Sequence, residues 1–102
     1  MSALDNFKVS PIGRRLRPII ESDENVNAMI ALSRYAQKPA VQVIGDQVEA
    51  LGKQVQDDTV KQMIGRWVCE ILAEQGWVPD KPGRVKPGHF FSRGMIYRSA
   101  SR

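Results

Sequence analysis

Apolar side chains recur at helical spacing in three stretches of this chain. The clearest comprises Val60, Met63, Ile64, Trp67, Val68, Ile71 and Leu72, a broad stripe along one face of a single helix. Asp57 or Asp58 is placed to cap it, and Gly76 to end it in a left-handed conformation after Gln75, with Trp77 closing back onto Leu72. Upstream, Val41, Ile44, Val48 and Leu51 predict a helix from Pro39, which suits a first turn, to about Leu51, with Gly52 as its terminator. Val26, Met29, Ile30 and Ser33 predict another from about Ser22 to Gln37. Ser22 or Asp23 would cap it, and Asp23 and Glu24 suit its positive first turn. Lys38 precedes a proline and should leave the helical region, separating the two.

The flanks lack this period. Residues 1–20 read as a basic N-terminal arm. Pro11, Gly13 and Pro18 interrupt any helical pattern, and Arg14, Arg15 and Arg17 sit among them. Ile12, Leu16, Ile19 and Ile20 would dock part of the arm on the domain. Beyond Trp77, the run from Val78 to Val85 contains Pro79, Pro82 and Gly83, and Pro87 with Gly88 reads as a turn. Phe90, Phe91, Met95, Ile96 and Tyr97 favour strand and are broken by Gly94. The expectation is two short antiparallel strands joined by a long basic loop. The expected fold is therefore α+β and mainly α, a three-helix core followed by a C-terminal β-hairpin. The arm would occupy 1–20, a single domain 21–98, and a tail 99–102.

A length of 102 residues suits one domain with one core. With 42% apolar and 25% charged residues, a wholly disordered chain is excluded. No apolar run is long enough for a membrane span. Met1 to Phe7 carry an acid and no apolar run, so no secretory signal is expected; with Cys69 as the sole cysteine, a reducing cytoplasm is the expected location. The net charge of +4 conceals a strong asymmetry. Residues 1–20 carry +3, residues 21–76 carry −4, and residues 77–102 carry +5. Basic ends around an acidic middle point to a polyanionic partner.

Three helices followed by a basic two-stranded ribbon is the element order of a winged helix-turn-helix. The series Ile64-Gly65-Arg66-Trp67-Val68, Ile71-Leu72, Gln75-Gly76-Trp77, and a ribbon ending in Tyr97-Arg98 resembles the winged-helix modules of phage and plasmid DNA-binding and replication proteins. The resemblance covers Thr59 to Arg98. It implies a double-stranded DNA-binding protein of mobile-element character, acting as a transcriptional regulator or replication accessory.

The residues themselves supply candidates for such contact. The N-terminal half of the third helix offers Thr59, Lys61, Gln62 and Arg66, of which Gln62 could pair with adenine and Lys61 or Arg66 with guanine or phosphate. Asp57, Asp58, Glu70 and Glu74 make that helix and its cap net negative, which moves the electrostatic contact toward the ends of the chain. There the candidates are Arg84, Lys86, Arg93 and Arg98 in the ribbon, and Arg14, Arg15 and Arg17 in the arm. Neutralising about four to six phosphates would give a log–log salt slope of roughly −4 to −5. A module of this size is expected to dimerise, through the first predicted helix or the arm.

Catalytic chemistry finds little support. His89 is the sole histidine, nothing in the spacing joins it to Cys69, and Asp57 and Asp58 are explained by capping. Gly83, Gly88 and Gly94 lack the strand-to-helix setting of a phosphate loop. No catalytic residue, metal site or cofactor is expected. Phe90 or Phe91, beside Arg93, is the candidate for base stacking. The competing expectation is an adaptor or inhibitor that uses the same fold on an acidic protein surface without binding DNA.

Overall fold

The three periodic stretches are helices, and two further helices precede them. The structure, a computed structural model, describes residues 2–33, 39–79 and 97–99. The elements are α1 (Ala3–Lys8), α2 (Pro11–Ile20), α3 (Asp23–Ser33), α4 (Pro39–Glu49), a 3-10 turn η1 (Lys53–Gln56), and α5 (Asp58–Glu74). Asp57 is the cap of α5, its Oδ1 accepting from the amides of Thr59 at 2.8 Å and Val60 at 3.2 Å. Gly76 follows Gln75 with φ +87°, at the place expected for a left-handed terminator. Gly52, expected to end the preceding helix, lies three residues past α4 with φ +97° and ψ −156° and leads into η1. The predicted contact of Trp77 with Leu72 lies outside the described side chains.

The expected α+β class is overturned: among the described residues the fold is built of five α-helices, and a C-terminal β-hairpin wing is not seen there. Among the described residues, the chain after α5 contributes only a three-residue antiparallel pairing of Trp77–Pro79 with Tyr97–Ser99, Val78 opposite Arg98. That is the short end of the range for sheet strands. Residues 80–96, where most of the ribbon was expected, lie outside the described residues.

The predicted arm is helical as well, and each supposed breaker has a physical role. Pro11 occupies the first turn of α2, where its missing N–H costs nothing. Pro18 lies inside the helix on the solvent side, so the carbonyl of Arg14 that loses its donor can be hydrated instead. Gly13 is buried at the crossing of α1 and α2. A Cβ there would stand 2.0 Å from the Phe7 carbonyl oxygen and 2.8 Å from the backbone of Lys8, which only a glycine avoids. Ser10 pins the same corner. Its hydroxyl donates to the Phe7 carbonyl at 2.6 Å and accepts from the Gly13 amide at 3.1 Å, capping α2.

With that corner set, α2 turns Leu16 and Ile20 inward, both fully buried. They join Met29 of α3, Ile44 and Val48 of α4, Val55 of η1, and Ile64, Trp67, Val68 and Leu72 of α5. Each such side chain contributes about 1.5–3 kcal/mol relative to exposure. Helix α2 packs on α3 and α4, and α1 packs on α5, so the N-terminal helices complete the core rather than decorate it. A reciprocal amide pair ties α3 to α4. Asn25 donates to Gln47 Oε1 at 3.0 Å, Gln47 donates to Asn25 Oδ1 at 3.2 Å, and Asn25 also donates to the Ile19 carbonyl at 2.8 Å.

Helix α1 begins with a capping box: the Asp5 amide donates to Ser2 Oγ at 3.1 Å and the Ser2 amide to Asp5 Oδ2 at 3.3 Å. The Ser2 amide, and then its hydroxyl, hold the Asp5 carboxyl below its ordinary 3.8. A depressed folded-state value means stability that is present above 3.8 and lost as pH falls through the folded value. Acidification below 3.8 is therefore expected to fray the first turn of α1, followed through the Ser2 amide resonance, and Asp5→Asn to abolish that pH dependence. At the helix crossing, Gly13→Ala is expected to cost about 3 kcal/mol by forcing α1 and α2 apart, measured by urea unfolding.

Candidate nucleic-acid interface

Helix α2 divides by periodicity into two faces. Gly13, Leu16 and Ile20 are buried, with Ile12 and Ile19 half-buried beside them, while Arg14, Arg15 and Arg17 are exposed. The three arginines thus project from one side of a helix whose other side is locked into the core. They differ in what holds them. The Arg14 side chain has no hydrogen-bond or ion-pair partner among the described residues. Arg15 donates to Gln54 Oε1 of η1 at 3.3 Å, a neutral partner that leaves its charge intact. Arg17 pairs with Glu21 at 3.1 Å.

Arg17 belongs to a larger arrangement centred on Trp67. The indole ring is fully buried, yet its Nε1–H finds an acceptor in Glu21 Oε2 at 3.0 Å. Phe7 meets the ring edge-on, with centroids 6.1 Å apart and planes at 89°. Lys8 Nζ and Arg17 Cζ each lie 5.6 Å from the ring centroid, within cation–π range. Lys8 in turn pairs with Glu70 of α5. Two cations and two carboxylates therefore surround one aromatic ring, and local charge there is balanced.

The candidates on α5 have a different setting. Thr59 and Arg66 are exposed, Lys61 and Gln62 are half-buried, and the Thr59 amide is taken up by Asp57. Asp57 and Asp58, both exposed, place two carboxylates at the end that would approach a phosphate backbone. Cys69 is half-buried and packs against the core. The side chain of Arg98 is not among those described, and Arg84, Lys86, Arg93, His89, Phe90 and Phe91 lie outside the described residues. Among the described residues no helix is long and apolar enough to cross a membrane.

Sequence reading gave no role to Lys8, Glu21 or Gln54, and Glu70 entered it only as one of the acids that make α5 net negative. Two signals pointed to Glu21: its helical spacing from Arg17, and the need of any buried tryptophan for an acceptor at its N–H. Both required residues 11–20 to be read as a helix. Comparison of the chain with family models, with curated proteins and with solved structures returns no match.

Trp67→Phe keeps an aromatic ring but removes the donor to Glu21 and leaves space beside it. The expected cost is about 2–4 kcal/mol, seen as a lower urea midpoint with unchanged slope.

Proposed function

We propose that this chain is a small DNA-binding protein that holds duplex DNA mainly through its phosphates, with the exposed face of α2 as a principal contact. The observation that carries the reading is the placement of Arg14, Arg15 and Arg17 on one solvent face of a helix rigidly seated in the core. Guanidinium groups suit phosphate because their planar fork matches its oxygens and their charge is permanent. A seated helix presents them with little further ordering cost. Contacts of this kind position a protein on the duplex without reading its bases. Groove reading by α5 is disfavoured by Asp57 and Asp58 at its leading end, so Thr59, Lys61, Gln62 and Arg66 are secondary candidates. Arg84, Lys86, Arg93 and Arg98 are the candidates for the remainder of the salt dependence.

The test is titration of the protein against a labelled random-sequence duplex of about 30 base pairs at about 50 and 200 mM salt. Binding is expected to weaken steeply with salt, with a log–log slope of roughly −4 to −5. Replacing Arg14 and Arg15 with alanine should weaken binding on every sequence alike and make the slope shallower by about 2, without lowering the melting temperature. Absence of binding at the lower salt would overturn the proposal and favour an adaptor that docks on an acidic protein surface.

A further inference from the structure

Glu21 occupies a position that its own helix disfavours. It is the C-terminal cap residue of α2, where the helix dipole is negative and a carboxylate is repelled. Its spacing after Arg17 is also the weaker of the two orientations for a helical ion pair. The two carboxylate oxygens nevertheless have distinct partners. Oε2 accepts from the buried indole of Trp67 at 3.0 Å, and Oε1 accepts from one terminal nitrogen of Arg17 at 3.1 Å. Glu21 is thus anchored to the core through one oxygen and holds an arginine with the other.

The consequence falls on Arg17. The Glu21 contact engages one of its nitrogens, and its guanidinium carbon is stationed 5.6 Å from the Trp67 centroid. Its side chain remains 47% exposed, so the fork keeps N–H groups open to solvent. Arg14, on the same face, has no such restraint among the described residues. We infer that Glu21 is a positioning residue, which through its bond to Trp67 holds the Arg17 guanidinium ready to take a phosphate oxygen pair. The inference rests on the proposed phosphate contact by α2 and assigns that contact an arginine preorganised by a carboxylate and an aromatic ring, where Arg15 has only the neutral Gln54. A fixed fork gives up less side-chain entropy when the phosphate arrives.

Charge and positioning predict opposite outcomes for Glu21→Gln. The variant removes a negative charge from the basic face, so electrostatics alone would tighten DNA binding and steepen its salt dependence. Positioning requires the reverse: the amide cannot accept from both Trp67 and Arg17 with its two ends. On the same random-sequence duplex, affinity is expected to fall about five- to tenfold, with the salt slope shallower by about 1. Arg17→Lys, an exposed substitution that preserves folding and charge but loses the planar fork, is expected to fall by a similar factor. Equal or tighter binding by Glu21→Gln, or wild-type binding by Arg17→Lys, would overturn the inference while leaving the DNA contact standing. Failure of the wild-type chain to bind duplex would remove both.

Discussion

A buried tryptophan brings one polar atom into a place with no water, and that atom must be satisfied. In this chain the indole N–H of Trp67 is satisfied by Glu21, which lies 46 residues earlier at the end of α2. The bond fixes where the end of α2 meets the middle of α5. Phe7 and Lys8 of α1 close on the same ring, so three helices are oriented by a single side chain. Once α2 is oriented this way, its arginines have no direction to face but outward.

The start of α2 is held as tightly as its end. Ser10 links the last turn of α1 to the first turn of α2 through one hydroxyl, and Gly13 lets the two backbones approach closer than any side chain would allow. Helix α2 is therefore held at both ends by contacts made outside its own turns. A ten-residue helix containing an internal proline would be marginal in isolation. Its stability comes from Leu16 and Ile20 in the core and from these two clamps.

The distribution of charge follows from the same geometry. Acids of α3 and α4 (Asp23, Glu24, Asp46 and Glu49) are exposed on the helices that the Asn25–Gln47 amide pair draws together. The arginines of α2 lie on a separate helix, with only Arg17 partly compensated. Around Trp67 each cation has its own carboxylate, and such exposed or half-exposed pairs contribute little net stability. Their value is geometric: the Glu21 pair fixes Arg17, while Arg15 leans on the neutral Gln54.

The sequence by itself determined the three apolar-striped helices, the Asp57 cap, and the glycine terminator at 76, because each depends on spacing and backbone preference within a few residues. It also determined that the basic residues collect away from an acidic middle. It misdirected the reading of residues 1–20, since Pro11, Gly13 and Pro18 have the local appearance of breakers. Whether a proline's missing N–H matters depends on its place in the helix and its access to water, and whether a glycine is needed depends on what crosses it. Those facts are tertiary. So is the arrangement around Trp67, in which residues 8, 17, 21 and 70 meet one ring although no local pattern links all four. Only the packed structure decided that the N-terminal segment is a seated helix instead of an arm, because only burial of Leu16 and Ile20 repays the ordering of that segment.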